Sequence, residues 1–268
     1  MSSAVLAYYD EVVTPFFVAS GPLVPVGAVA LYLALSGPLC RLVVKVFNLE
    51  MSEADKKARK RGAFVTYLSV VHNFILAVYS GWTFINTAPI FYSTFVEHGF
   101  MGAVCDTGNS TWPRIGWWVT HFYISKYYEF IDSWIVYLKG DKPIFLQTFH
   151  HAGIVVMMYG MVITESAFSG MVTTTFNSFI HTIMYTYYLA AVLGYRSPYA
   201  KYLTMAQLTQ FLVGISISIP SYFRPGCFST DDKFYSLASM HLYTVALVFL
   251  FYRFFRGRYK KVAIKKTN

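Results

Sequence analysis

Seven long apolar runs dominate the chain, near 22–44, 62–86, 115–138, 143–163, 168–193, 201–221 and 237–256. A helix needs about 20 mostly apolar residues to cross a bilayer. In lipid a spanning segment must satisfy its own backbone hydrogen bonds, which runs of this length do as helices. Charged residues make up 13% of the chain, half the roughly 25% usual in soluble domains. The runs therefore predict an all-α integral membrane protein with seven transmembrane helices. The third run is the least apolar, because it holds Lys126, Glu129 and Asp132. The connections are short except 45–61 and 87–114, and no repeat or linker divides the chain. One polytopic domain over 1–268 is expected, with an N-terminal segment 1–21, a seven-helix core 22–256 and a basic tail 257–268. No charged leader precedes an isolated apolar stretch with a cleavage site, so the first run is read as a spanning helix and not as a signal peptide.

Charge placement orients this bundle. Lys and Arg gather in cytoplasmic loops. Six spans separate the basic 41–61 connection from the basic tail, so both face the same side. With that side cytosolic, all of the 22 Lys and Arg except Arg114, Lys126, Arg224 and Lys233 face the cytosol. The expected topology is N-terminus lumenal, C-terminus cytosolic. The basic residues are read as topology and lipid contact, with no nucleic-acid partner. Cys105 and Cys227 then share the non-cytosolic side, where a disulfide between them can form; two free thiols are the alternative. Cys40 falls at the cytosolic end of the first run. Asn109-Ser110-Thr111 is a glycosylation sequon whose closeness to the next helix argues against occupancy. Lys265 and Lys266, in the closing "KKTN", match a dilysine signal for retrieval to the endoplasmic reticulum, an address read by a receptor.

Polar groups inside a membrane are costly and mark function or internal pairing. Here they form stripes. "KYYEFIDS" places Lys126, Glu129 and Asp132 at i, i+3 and i+6, near one helix face. Lys126 can pair with Glu129, and Asp132 then needs a partner from another helix. This set reads equally as a structural polar network. "FLQTFHH" carries Gln147, His150 and His151. "NSFIHTIMYTYY" carries Asn177, His181 and Tyr185 at i, i+4 and i+8, followed by Tyr187 and Tyr188. "TMAQLTQF" carries Thr204, Gln207 and Gln210. Four consecutive helices with polar stripes imply one polar cavity inside the bundle, open to the cytosol. His72, His121, His98 and His241 are isolated and are read as packing or hydrogen-bonding residues.

Four readings compete for this cavity. Of seven histidines only His150 and His151 cluster, too few for a di-iron site. A mononuclear metal site from His150, His151 and His181 is a formal alternative, with Gln147 a poor substitute for an imidazole ligand. A receptor or retinal protein leaves the histidine pair unexplained, and the seventh run has no lysine in its apolar core. A transporter would want broken helices at mid-membrane. Acyl transfer uses every stripe: imidazole as nucleophile or base, amides and phenols to hold an oxyanion, cations for phosphates and an apolar interior for a fatty chain.

The four motifs, in this order and spacing between about 122 and 211, resemble the ELO-type fatty acid elongases. Span count, basic ends and dilysine tail extend the resemblance over nearly the whole chain. It implies a condensing enzyme of the endoplasmic reticulum membrane that joins acyl-CoA to malonyl-CoA, giving 3-ketoacyl-CoA, carbon dioxide and CoA. It implies no metal or redox cofactor for this step. The expected partners are the two CoA substrates, the bilayer and the reductases and dehydratase of the cycle, and a homo-oligomer is compatible with the sequence. The family box is H-x-x-H-H, and Gln147 replaces its first histidine. "LKGDKPIFLQTFHH" is similar to a group of algal and protist elongases with a Q-x-x-H-H box that act on delta-9 polyunsaturated eighteen-carbon chains. For such a reaction the catalytic residues expected here are His150, His151, His181 and Gln147, with His150 as acyl acceptor. Substrate contacts are expected from Asn177, Tyr187, Lys201, Thr204 and Gln207.

Overall fold

The computed structural model describes residues 9–37, 42, 45–46, 62–106, 108–195 and 198–266, with side chains from Glu11 to Tyr259. Cys40, the basic residues of 47–61 and the side chains of Lys265 and Lys266 lie outside this description. A π turn at Tyr9–Val13 leads into nine α-helices among the described residues. They are α1 Thr14–Ser20, α2 Leu23–Leu35, α3 Ala63–Cys105, α4 Trp112–Tyr128, α5 Ile131–Leu138, α6 Phe145–Ile163, α7 Ala167–Val192, α8 Ala200–Ser218 and α9 Asp231–Lys266. No strand occurs among the described residues.

Four helical segments are long and apolar enough to cross a membrane: α3, α6, α8 with the turn after it, and α9. The segment Glu11–Ser20 with α2, bent by 76° at Gly21–Pro22, makes a fifth if the bent pair is one span. The chain is thus a multi-pass helical membrane protein with four or five such spans, where the sequence predicted seven. The differences have local causes. Pro22 follows Gly21, whose φ is +56°, and the first span breaks there. The third run is interrupted at Glu129–Phe130, leaving α4 only 17 residues long. At this turn the N–H groups of Phe130, Asp132 and Ser133 bond to carbonyls three residues back, a tightened geometry often found at functional positions. α7 is long enough, but its Thr, Ser, Asn and His residues lower its apolarity, and most of them face protein. α3 extends 43 residues, so most of the expected 87–114 loop is helix. It runs through Pro89 without a break and leaves helical geometry only at Gly99, whose φ of +66° a side chain would resist.

α6 and α7 form the centre. α6 touches α1, α2, α4, α7 and α9, while α7 lies along α3 and also meets α4 and α8. The core joins Ile115, Val119 and Phe122 of α4, Ile154, Val155 and Met158 of α6, Phe168 and Met171 of α7, and Tyr243 and Leu247 of α9. Phe64, Ile85, Tyr92, Leu242 and Phe249 point outward, where lipid replaces water as solvent. Cys105, ending α3, is bonded to Cys227, 122 residues on. Close by, Lys233 Nζ donates to Oδ1 of Asn109, the sequon's asparagine, at 2.9 Å. A crosslink closing so long a loop contributes about 2–4 kcal/mol. Replacing both cysteines with serine is therefore expected to lower the thermal midpoint in detergent, and reductant is expected to do the same to the parent protein.

Candidate active site

The α4–α5 turn places three acidic or basic groups against α6 and α7. Lys126 and Glu129 are 0% and 1% exposed. Lys126 Nζ donates to Glu129 Oε1 at 2.8 Å and to Asn177 Oδ1 at 3.0 Å, and sits 3.8 Å from the centre of the Phe122 ring. Burial of this pair is tolerable because the ammonium meets two oxygens and an aromatic face. Glu129 Oε1 is also 3.5 Å from His181 Nδ1. The carboxylate therefore links the α4 lysine to an α7 histidine.

Asp132 finds its interhelical partners in α3 and α7. Its Oδ1 pairs with His72 Nε2 at 2.9 Å, and its Oδ2 accepts from the Tyr185 hydroxyl at 2.7 Å. His151 Nε2 lies 3.9 Å from the same oxygen. His72 is thus part of the polar network and lines its cavity. Sequence reading has it as an isolated packing or hydrogen-bonding residue; the hydrogen bond is there, but nothing in the α3 sequence announces Asp132 as its partner. The remaining isolated histidines are hydrogen-bonded as expected: His121 to Tyr79 at 2.9 Å, His98 to Ser110 at 3.3 Å, and His241 to Ser218 and Tyr222 at 2.6 and 2.9 Å.

On α6, helical spacing puts Gln147 one turn before His151, with His150 one residue round. Gln147 Nε2 donates to Ser133 Oγ at 3.2 Å, and Ser133 also shares a hydrogen bond with Tyr32 at 2.8 Å. His150 turns toward α9 and Tyr243. The Tyr243 hydroxyl donates to the His150 carbonyl at 2.8 Å and lies 3.1 Å from His150 Nδ1. Tyr243 is a partner that the sequence reading missed. It is one of two tyrosines in the apolar run 237–256, and nothing in that run distinguishes it from Tyr252.

Two cavities meet at His150. The wider, about 430 Å³, is lined by Asp132, Gln147, His150, His151, Asn177, His181, Tyr187, Thr204 and Gln207, with His72, Lys139 and Arg258. It lies among the ends of α7 and α9 and the start of α8. Gln207 Nε2 also contacts Met184 Sδ at 3.4 Å. The narrower, about 70 Å³, runs from His150 and Asn177 between Ile154, Phe176, Phe211 and Leu247 toward Ser218 and His241. The structure so brings together Gln147, His150, His151, His181, Asn177, Tyr187, Thr204 and Gln207. Lys201 is not among the lining residues. It is exposed on α8, 6.0 Å from the centre of the Phe255 ring, because the inward face at this end of α8 is made by Ala200, Leu203 and Thr204. Lys126 and Glu129 stand behind the wall.

Among the described residues, no three His, Cys, Asp or Glu side chains are grouped so as to hold a metal ion. The three-histidine metal site gains no support from the geometry. What the arrangement offers is an imidazole at the junction of a polar chamber, with cations in its lining, and an apolar channel.

Known proteins resemble this chain in sequence. The family described as ELO: GNS1/SUR4 matches residues 17–267. The chain is similar to "Fatty acid elongase sre1" of Dictyostelium discoideum, 36% identical over 181 residues, 67% of each chain. It is also similar to "Very long chain fatty acid elongase 6" of Gallus gallus, 30% identical over 199 residues, 72% of this chain and 74% of that one. "Fatty acid elongase 2" of Trypanosoma cruzi is 26% identical over 212 residues, 73% of each chain. With nearly its whole length matched, this chain belongs to the ELO (GNS1/SUR4) family.

Proposed function

We propose that the protein condenses a long-chain acyl-CoA with malonyl-CoA, giving 3-ketoacyl-CoA, carbon dioxide and CoA. The observation that carries the reading is the position of His150, in the lining of both the polar cavity and the apolar channel. A thioester has these two parts: a fatty chain that prefers the channel and a charged carrier that needs the chamber.

In the first step His150 Nε2 attacks the thioester carbonyl. The N–C bond forms, the C–S bond breaks, and CoA leaves with the electron pair as a thiolate, which takes a proton from water. Malonyl-CoA then loses carbon dioxide, and the resulting carbanion attacks the acyl carbonyl. The C–C bond forms and the N–C electron pair returns to His150. Atoms and electrons balance without a redox cofactor or a metal. His151 and His181 orient substrate or move protons, each beside a carboxylate. Asn177, Gln147 and Gln207 hold the thioester carbonyl, with Tyr187 and Thr204 along the wall. Lys139 and Arg258 take the contact to CoA phosphates, in place of Lys201. The channel keeps water from the acyl-imidazole, which hydrolyses readily.

The acyl chain on this reading is a delta-9 polyunsaturated eighteen-carbon chain, extended to twenty carbons; the Q-x-x-H-H box supports it. The topology has the N-terminus lumenal and the C-terminus cytosolic, with all seven runs crossing an endoplasmic reticulum membrane. The polar burial of α4 and α7 inside the bundle supports counting them. Reductases and a dehydratase complete the cycle. The test uses purified protein in detergent, malonyl-CoA labelled in its retained carbons and a panel of acyl-CoAs. Labelled 3-ketoacyl-CoA is expected, most abundant from delta-9 polyunsaturated chains. Product from saturated chains only would discard the substrate assignment. No product from any chain would discard the condensation.

A further inference from the structure

We infer that Tyr243 is a positioning residue that fixes the reactive tautomer of His150. The inference rests on the assignment of His150 as acyl acceptor. A phenol has one proton and a carbonyl oxygen has none. The Tyr243 hydroxyl is within 2.8 Å of the His150 carbonyl, to which it donates, and 3.1 Å from His150 Nδ1. With its proton given to the carbonyl, the phenol oxygen faces Nδ1 as an acceptor. Nδ1 then carries the imidazole proton. The lone pair is left on Nε2, which has no hydrogen-bond partner among the described residues. The nitrogen a histidine offers is set by the bond its other nitrogen makes.

The same contact serves the step itself. Attack by Nε2 on the thioester gives an N-acyl imidazolium and a CoA thiolate. The positive charge is shared with Nδ1–H, and the phenol oxygen beside it stabilises that charge. When the carbanion takes the acyl group, the imidazole returns to its neutral form with the proton still on Nδ1. Tyr243 thus holds the histidine through both halves of the cycle without exchanging a proton.

The tyrosine is seated by its surroundings. Its ring stacks on Phe149, with centroids 5.6 Å apart. It also lies over Gly153, where an added Cβ would come within 2.3 Å of the ring. Only a glycine lets the ring approach α6 this closely. Gly153→Ala is therefore a second way to move the hydroxyl, leaving Tyr243 itself intact.

The test follows acylation of the enzyme by labelled acyl-CoA without malonyl-CoA, with the adduct mapped to its peptide. Tyr243→Phe keeps the ring and removes the oxygen. Its acylation rate is expected to fall about 10- to 100-fold, as for hydrogen-bond partners that orient a metal-bound histidine. The KM for acyl-CoA is expected to stay put, the adduct still mapping to His150. Gly153→Ala is expected to slow the same step. In protein with isotope-labelled histidine, the imidazole nitrogen shifts of His150 are expected to report Nδ1–H in the parent and a mixture of tautomers in Tyr243→Phe. An adduct on His150 with an unchanged rate in Tyr243→Phe overturns the inference and leaves the acyl-acceptor assignment standing. An Nε2–H tautomer in the parent overturns it even if neither variant folds. Absence of any adduct on His150 in the parent overturns the assignment itself, and this inference with it.

Discussion

Alanine at His150 is expected to abolish condensation, with turnover falling on the order of 10³-fold or more, as when a covalent nucleophile is removed. The loss should appear as labelled 3-ketoacyl-CoA missing from an assay with malonyl-CoA labelled in its retained carbons. The fold should survive. His150 is only partly buried, and its partner Tyr243 also rests on Phe149 and over Gly153. The same variant should lose the acyl adduct formed in the absence of malonyl-CoA. Turnover near that of the parent would show that another group accepts the acyl chain. His181 would then be the first to test, since it lines the same chamber.

Methionine at Lys126 is expected to have the largest effect on stability. It leaves Glu129, 1% exposed, as a charge without its ammonium partner. Breaking such a pair from one side costs about 3–5 kcal/mol, most of it the penalty of the stranded charge. The thermal midpoint in detergent should fall sharply. Adding Glu129→Gln to Lys126→Met should recover much of the loss, because the glutamine needs no counter-charge. The double variant should still turn over more slowly than the parent, since Glu129 also sits 3.5 Å from His181 Nδ1. A double variant no more stable than the single one would mean that the lysine acts through Phe122 and Asn177 and not through Glu129.

Some of this was legible from the chain alone. The bounds of α6, α7 and α8 follow the apolar runs 143–163, 168–193 and 201–221 to within about three residues, because apolar length alone decides where such a helix starts and stops. The cavity followed from periodicity: residues three and four apart share a helix face, so stripes on neighbouring helices had to meet. Other features depend on tertiary partners. The tight turn at Glu129 falls inside an apolar run, where hydropathy continues and the backbone does not, and the bend at Gly21–Pro22 falls where the first run begins. Pro89 lies in the stretch expected to be a connection, yet α3 passes through it. His72 and Tyr243 carry no local signal, since their meaning comes from Asp132 and His150 on other helices. Lys201 looked suited to phosphate by charge and position, but it lies on the outer face of α8. Lys139 and Arg258 enter the chamber from elements far apart in the chain.

His150 stands where a broad chamber narrows to a channel. On the proposed reading both substrates bring the same bulky carrier to this one chamber, and the thioester of each must reach the same nitrogen. The two visits are then separated in time. The first carrier departs before the second arrives, and the acyl group waits on the protein in between. The site works as a relay with one baton, and its pace is bounded by how fast the spent carrier clears the chamber.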